Sequence, residues 1–267
     1  MIPKKIHYIW FGRNPLPELA LKCIESWKKY CPDYEIIEWN EDNFDISKNL
    51  YAKQAYEAKK WAFVSDYARV KILYKYGGIY LDTDMEILKN IDKLINSQSF
   101  TSFEDCKNIA FGIYGSRPKS EILKILLDSY DDDRFILDNQ MLNTKTIVTR
   151  LTDILLKYKI KLNGKTQITD EINVYSSDYF YPKNVISKEI NITNNTYSLH
   201  HYDGSWLSDE DRKFALKKQY FIKKFGDKKG KIVYYLYFIF KNYQIYGLKH
   251  TVRIFIHKYK TSSKRFF

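Results

Sequence analysis

The chain has 267 residues, of which 17% are aromatic, and it carries a net charge of +12. That length fits one large domain, or a domain with an appendage, and it can bury a sizeable core. Three cysteines without a CxxC pair are typical of reduced thiols in a cytosolic protein. The longest apolar run, residues 232–240, is far shorter than the roughly 20 residues of a membrane-spanning helix, and the amino terminus leads into a strand pattern rather than a signal peptide.

The first ninety residues alternate between strand and helix patterns. Pro17 stands near the start of one predicted helix and Gly77 at the end of another, which are the positions these residue types prefer. In chain order the patterns predict a strand at 5–11, a helix at 17–30, a strand at 34–39, helices at 50–59 and 61–76, a strand at 79–81 and an edge strand at 85–88. This alternation predicts an α/β sheet.

Beyond residue 100 the patterns are weaker. They predict two short strands around a loop within 100–116, helices at 120–130 and 144–158, and an extended segment at 174–182. No internal repeat or low-complexity linker divides this part of the chain. We therefore expect residues 1–211 to form a single domain, followed by a distinct segment at 212–267.

Residues 76–84, Tyr-Gly-Gly-Ile-Tyr-Leu-Asp-Thr-Asp, are the most informative stretch. They predict a helix end, a glycine turn, a short buried strand and two carboxylates at its carboxyl end, where open α/β sheets bind ligands. Side chains at i and i+2 of an extended segment point the same way, so Asp82 and Asp84 share one side. Such a pair suits Mg²⁺ or Mn²⁺ with a substrate diphosphate. A solvated loop is the alternative, but the preceding helix and strand favour the metal site.

Two further features precede this strand. Asp66 and Arg69 are three residues apart on the predicted helix at 61–76 and therefore lie on one face. They form either an ordinary surface ion pair or a grip for sugar hydroxyls and a phosphate. Trp10, at the end of the first strand, is either a core residue or a flat surface for a nucleobase, with Gly12 allowing close approach of the backbone.

Two later segments are also candidates. His201 precedes a Gly-Ser-Trp sequence about a hundred residues after the Asp-Thr-Asp segment. It is either a packed core residue or a third metal ligand, and imidazole suits Mn²⁺ better than Mg²⁺. Asp138, Asn139 and Gln140 precede a predicted helix, where they either cap it or line the reaction centre beneath a sugar.

The chain contains no GxxxxGK[ST], GxGxxG, HExxH or GxSxG pattern. Instead, residues 6–12, 65–69 and 77–84 resemble the ordered motifs of the DxD sugar-transferase family, glycosyltransferase family 32, which includes bacterial capsule enzymes and Golgi mannosyltransferases. They are similar also to the glucosyltransferase domain of large clostridial toxins. The resemblance covers residues 1–92 and returns at 197–206. It implies a GT-A nucleotide-sugar-binding fold, a Rossmann-like single domain with a mixed sheet, and retaining transfer from a nucleotide-sugar.

The resemblance also implies a nucleotide-sugar site. Trp10 would stack on the nucleobase, Asp66 and Arg69 would grip the donor sugar, and Trp206 would lie over the diphosphate. The implied site residues are Ile9, Trp10, Phe11, Gly12, Asp66, Arg69, Tyr80, Leu81, Asp82, Thr83, Asp84, Ser205 and Trp206.

The implied metal site uses Asp84 directly and Asp82 through water, and His201 fits the family's His-x-x-Gly-Ser-Trp position. Residues 138–143 are similar to an Asp-Gln-Asp segment of lipopolysaccharide galactosyltransferases, with a different order of acid and amide. That likeness makes Asp138, Asn139 and Gln140 catalytic candidates beside Asp66 and Arg69, and leaves open which of them faces the anomeric carbon.

The positive charge belongs to the carboxyl-terminal segment. Residues 212–267 hold 16 Lys and Arg against one acid, a balance of +15, together with 15 aromatic residues. Since the whole chain is +12, residues 1–211 carry −3. Such segments bind single-stranded nucleic acid, form amphipathic helices on anionic membranes, or pack as a helical pair on the domain. The resemblance favours a helical tail on an anionic membrane and no nucleic-acid partner, because bacterial acceptors of such enzymes are usually lipid-linked.

These features together predict a metal-dependent retaining glycosyltransferase with Mn²⁺ or Mg²⁺ as cofactor and a UDP-sugar as the hexose donor. The expected acceptor is a lipid-linked glycan of bacterial capsule or lipopolysaccharide O-antigen synthesis. The expected location is cytoplasmic, peripheral on the inner face of the cell membrane. Two alternatives remain: an effector-type enzyme that modifies a protein hydroxyl, and a basic nucleic-acid-binding or scaffold protein.

Overall fold

The structure is a computed structural model that describes residues 1–185, 187–204 and 209–263. The chain forms two compact units. The first contains residues 1–184 and the described residues from Glu189 onward to 204. The second contains the long carboxyl-terminal helices.

The helices and strands of the first unit follow the predicted order closely. Its strands are β1 (Lys5–Ile9), β2 (Glu35–Trp39), β3 (Gly78–Leu81), β4 (Met85–Ile87), β5 (Ser99–Ser102), β6 (Ile113–Ser116), β7 (Gln167–Ile168), β8 (Asn173–Tyr175) and β9 (Ser198–His200). Its α-helices are α1 (Glu18–Tyr30), α2 (Leu50–Glu57), α3 (Trp61–Tyr76), α4 (Glu121–Asp131) and α5 (Ile147–Lys157). The extended segment predicted at 174–182 is wrong in part, because β8 ends at Tyr175 and Ser177–Tyr179 form a 3₁₀ turn.

Seven strands form one mixed sheet in the order β2-β1-β3-β6-β5-β8-β7. Strands β2, β1 and β3 are parallel, whereas β6 runs antiparallel to both β3 and β5. The parallel pairing places the carboxyl ends of β1 and β3 at one edge, where ligands of open α/β sheets bind. The predicted α/β class with a mixed sheet is confirmed.

The central strand β3 is buried on both sides. Its side chains alternate between two apolar clusters: Tyr80 belongs to the cluster with helix α3, and Ile79 and Leu81 belong to the cluster with helix α1. Gly78 has φ +98°, and a Cβ there would lie 2.8 Å from the Lys5 carbonyl oxygen. A glycine is therefore required where the chain turns from α3 into β3.

Strands β4 and β9 form a separate antiparallel pair. Met85 pairs with His200 in this register, and the His201 backbone N–H donates to the Asp84 carbonyl at 3.0 Å. The pairing brings a segment more than a hundred residues away to the end of the Asp-Thr-Asp segment.

The second unit is a pair of helices, α6 (Asp209–Phe225) and α7 (Asp227–Ser263). Aromatic side chains hold them together: Phe214 of α6 lies 5.3 Å from Phe238 of α7, and Phe221 lies 5.7 Å from Tyr237, measured between ring centroids. Gly247, at φ 76°, interrupts α7. Among the residues that the structure describes, no helix is both long enough and apolar enough to cross a membrane.

Candidate active site

The two carboxylates of the Asp-Thr-Asp segment lie together just beyond β3. The Asp82 backbone N–H donates to the Gly112 carbonyl at 2.8 Å, and the Met85 N–H donates to the Asp82 carbonyl at 2.9 Å, so the turn that carries both side chains is held at each end. The side chains of Asp82 and Asp84 are 27% and 16% exposed. The solvated-loop interpretation of this segment is therefore wrong.

The structure brings His200, and not the predicted His201, to the carboxylates. His200 Nε2 donates to Asp84 Oδ1 at 3.0 Å, whereas His201 Nε2 donates to Glu86 Oε2 at 2.8 Å. Adjacent side chains of an extended segment point to opposite sides, so only one of the two can face Asp84. The register of β9 against β4 selects His200, which local sequence could not determine.

The donor set of this cluster fits a divalent metal ion. One ligand atom each from Asp82, Asp84 and His200 lie within 4.8 Å of one another. His200 Nδ1 is buried without a hydrogen-bond partner among the described residues. Two carboxylates with an imidazole suit Mn²⁺, which accepts nitrogen more readily than Mg²⁺ does.

The charges within the cluster reinforce one another. Burial by itself lowers the pKa of His200, but the charge and hydrogen bond of Asp84, together with the charges of Asp82 and Glu104, outweigh burial and the pKa of His200 is raised. Burial by itself raises the pKa of Asp84, but His200 and the Asp203 backbone N–H outweigh it and the pKa of Asp84 is lowered. His200 and Asp84 thus favour the charged forms of each other.

Arg69 links helix α3 to this cluster. Its Nη1 lies 3.1 Å from Asp82 Oδ1, and its guanidinium lies 4.4 Å from the centroid of the Tyr80 ring. The Tyr80 hydroxyl donates to the same Asp82 oxygen at 2.8 Å. A buried positive charge and a hydroxyl therefore orient one oxygen of Asp82.

Asp66 completes the set on helix α3. Its Oδ1 lies 3.4 Å from Arg69 Nη2, and its Oδ2 accepts from the Ile147 backbone N–H at the start of α5 at 3.1 Å. Both side chains are about one-tenth exposed, so this is not the ordinary surface ion pair that spacing alone allows. Burial raises the pKa of Asp66, and the neighbouring Arg69 opposes that effect.

The predicted nucleobase platform lies at the end of β1. Trp10 is half-buried, and its Nε1 donates to the Asn14 carbonyl at 2.6 Å. Gly12 has φ +98°, its N–H donates to Glu41 Oε1 at 2.7 Å, and the Trp61 indole fills the space that a Cβ at Gly12 would need. The register of β1 against β3 places Trp10 at the same sheet edge as the carboxylates.

The other predicted residues divide into three groups. Ile9, Phe11 and Leu81 bury their side chains in the core, so a ligand would contact only their backbone atoms. Thr83 lies half-buried between the two carboxylates. Ser205 and Trp206 lie outside the described residues.

Residues 138–140 form an exposed turn between the bridged residues Ile136 and Leu142. Asp138 is 98% exposed and lies 3.8 Å from Arg134, and Gln140 has φ 62°. The contacts of this turn are local, and it is not the start of α5, which Thr146 caps. The helix-cap interpretation of these residues is therefore wrong.

Sequence reasoning missed several residues that the fold adds to the site. A Cβ at Gly112 would lie 2.8 Å from Asp82 Oδ2 and 2.9 Å from the Tyr181 hydroxyl, so this glycine admits both groups. Burial raises the pKa of Glu104, which interacts with His200 and hydrogen-bonds the Tyr202 hydroxyl. No local motif marks these positions, since each depends on contacts between distant segments.

A family model matches the region that contains most of this site. Residues 17–101 match the glycosyltransferase sugar-binding region containing the DXD motif. The matched segment spans helix α1, helix α3, strand β3 and both carboxylates.

The chain is also similar to known proteins. It is 29% identical over 197 residues to an uncharacterized glycosyltransferase of Acanthamoeba polyphaga mimivirus, covering 69% of this chain and 75% of that protein. It is 30% identical over 118 residues to inositol phosphoceramide mannosyltransferase 3 of Schizosaccharomyces pombe, covering 43% of this chain but only 33% of that protein.

Among solved structures, the chain is similar to a glycosyltransferase involved in the glycosylation of the major capsid of PBCV-1. The sequence identity is 14%, the coverage is 74% of this chain and 94% of that chain, and the TM-score is 0.42. The sugar-binding motif and the similar glycosyltransferase sequences agree with the paired carboxylates at the end of β3, and the protein is a glycosyltransferase whose residues 17–101 match the DXD-containing sugar-binding region.

Proposed function

We propose that the protein transfers a hexose with retention from a nucleotide-sugar, with a UDP-sugar as donor and Mn²⁺ as the preferred metal ion. One observation carries this proposal: ligand atoms of Asp82, Asp84 and His200 converge within 4.8 Å beside the buried Arg69. Such a site suits a metal-bound diphosphate. When bound there, the metal would act as a Lewis acid that stabilises the departing diphosphate.

The side chains of this chain have separate roles in the proposal. Arg69 supplies fixed positive charge next to the diphosphate and, with Asp66, binds the donor sugar. Trp10 stacks on the nucleobase, and Gly12 lets the backbone approach it. The departing phosphate takes the proton of the acceptor hydroxyl, since retaining transfer in this proposal needs no protein base.

The proposed acceptor is a lipid-linked glycan of bacterial capsule or O-antigen synthesis. A relative named inositol phosphoceramide mannosyltransferase supports an acceptor that carries a lipid. The basic tail supports a peripheral location on the anionic inner face of the cell membrane, since each Lys or Arg near such a surface adds roughly 1 kcal/mol of attraction.

Nucleotide release from a panel of UDP- and GDP-sugars, measured with Mn²⁺ and with EDTA, tests the donor and the metal. We expect slow hydrolysis of one UDP-hexose with Mn²⁺, and loss of at least ~100-fold with EDTA or in Asp82→Asn/Asp84→Asn, as expected when a metal-held leaving group loses its charge stabilisation. Full activity of the double variant with Mn²⁺ would refute the metal assignment. Transfer to a protein hydroxyl rather than to a lipid-linked glycan would favour the effector-type alternative.

A further inference from the structure

Helix α7 carries an exposed apolar stripe. Ile232, Leu236, Phe240 and Tyr243 are spaced four, four and three residues apart and are 52–62% exposed. At about 100° per residue, these positions fall within roughly 80° of the helix circumference and extend for about 16 Å. The outer stripe, as we name these four residues, ends before the break at Gly247.

The outer stripe lies away from the face that packs on α6. That packing face contains Gly230, where a Cβ would lie 2.5 Å from the Ile222 Cα, together with Tyr237 and Phe238. The packing residues are centred about 150° around the helix from the centre of the stripe. Packing between the two helices therefore cannot explain the stripe, and large contiguous apolar surfaces mark interaction sites.

Charge indicates what covers the stripe. Lys228 and Lys229 are exposed in the first turn of α7. Around the helix, Lys228 lies about 40° from Ile232, and Lys229 lies about 20° from Leu236. Residues 212–267 carry a balance of +15. A second copy of this chain would bring two such charges together, whereas an anionic bilayer offers both an apolar interior and opposite charge. Nucleic acid would use the lysines but would leave the aliphatic Ile232 and Leu236 in water.

We infer that the outer stripe of α7 inserts into the headgroup region of an anionic bilayer, with the helix lying in the plane of the surface. Aliphatic and aromatic side chains would enter the boundary of the acyl chains, and the lysines beside them would contact the lipid phosphates. This inference rests on the proposed function only for the choice of a membrane-bound acceptor.

Co-sedimentation of the full chain with vesicles tests the stripe. We expect the wild type to bind phosphatidylcholine vesicles that contain about 30% phosphatidylglycerol. We expect the variant Ile232→Ser/Leu236→Ser/Phe240→Ser to partition at least ~10-fold more weakly, because it buries less apolar area in the bilayer. The matched control Leu21→Ser/Leu156→Ser/Ile168→Ser removes three similarly exposed apolar side chains of the first unit and should bind like the wild type. Equal partition of wild type and stripe variant, or equal loss in the control, would overturn the inference.

A fluorescent label reports insertion directly. With Cys106→Ser removing the exposed thiol, an NBD label at Leu236→Cys should shift to the blue on anionic vesicles. A label at Lys231→Cys, about 140° around the helix from the stripe centre, should shift little. No shift at position 236, or a stripe variant that changes the oligomeric state or RNA binding instead of vesicle binding, would refute the bilayer assignment.

The donor hydrolysis assay separates this inference from the proposed function. The stripe variant should keep the wild-type rate of nucleotide release in solution, because no stripe residue belongs to the candidate active site. Stripe-dependent vesicle binding by a protein that hydrolyses no nucleotide-sugar would refute the proposed function and leave the inference intact.

Discussion

Two adjacent histidines illustrate how single residues acquire different roles. His200 donates to Asp84 and has a buried nitrogen without a partner among the described residues, whereas His201 donates to Glu86, which also lies 3.3 Å from Lys22. His201 therefore belongs, with Glu86 and Lys22, to a polar network on the other side of the segment. In this geometry His200, and not the predicted His201, is placed to bind a metal ion with Asp82 and Asp84.

We expect His200→Ala and His201→Ala to separate the two roles. Removing His200 should raise the Mn²⁺ concentration for half-maximal nucleotide release by on the order of 10–100-fold, because a ligand and its orienting contact are both lost. Removing His201 should change that concentration less than about threefold and should cost about 1 kcal/mol of stability, the usual net contribution of one hydrogen bond. A manganese titration of both variants checks the ranking, and the reverse order would contradict the assignment.

At the scale of elements, the site depends on the start of β6. Gly112 stands just before this strand and accepts the Asp82 N–H, while the Ile113 N–H donates to the Tyr181 hydroxyl at 3.1 Å. Gly115, within the same strand, admits the Phe100 ring, which would lie 2.1 Å from a Cβ there. The glycine just before β6 thus leaves room for the Asp82 carboxylate, and the glycine within β6 leaves room for a core aromatic ring.

Gly112→Ala and Gly115→Ala should therefore fail in different ways. The Gly112 variant should fold but displace the Asp82 carboxylate, lowering Mn²⁺-dependent nucleotide release by roughly 10-fold or more, as small displacements at a reacting centre do. The Gly115 variant should lose about 1–3 kcal/mol of stability through overpacking. Activity and urea unfolding measured on both variants check this, and equal loss of stability in the two would contradict it.

At the scale of the whole molecule, His7 ties the sheet to the turn before β3. Its Nε2 donates to the Gly77 carbonyl at 2.9 Å, and its Nδ1 accepts from Trp39 Nε1 at 3.1 Å, so the buried ring is neutral. Burial lowers the pKa of His7 to about 4, from an ordinary value of 6.5. Protonation of His7 would break the hydrogen bond from Trp39 and would place a charge in the protein interior, and both effects destabilise the native state.

The stability of the protein should consequently fall in acid. Between pH 6.5 and about pH 4 the unfolded chain binds a proton on His7 that the native state does not, so stability is full above pH 6.5 and declines as the pH falls. The contribution of His7 to the free energy of unfolding should fall by roughly 3 kcal/mol between pH 6.5 and about pH 4. Urea unfolding of wild type and His7→Gln at pH 7.5 and pH 4 measures it. A difference between the two proteins that does not change with pH would contradict this explanation.

Much of the first unit was predictable because its signals are local. Periodicity located helices α1 to α5 and strands β1 to β6 to within a few residues, and the glycine turn before β3 indicated where two carboxylates would emerge. The spacing of Asp66 and Arg69 on one helix face also predicted their proximity. Each of these signals depends on neighbours within a strand or a helix turn.

The amino-acid sequence by itself determined the order of the elements, the Asp-Thr-Asp turn at a sheet edge and the separation of a basic helical tail from a slightly acidic domain. Only the tertiary structure decided that His200 faces Asp84, that Gly112 admits Asp82 and that the outer stripe of α7 is left uncovered by α6. Those outcomes depend on strand register and helix packing between segments far apart in the chain. Local composition carries no information about such contacts, because a shift of one residue in register would exchange the two histidines.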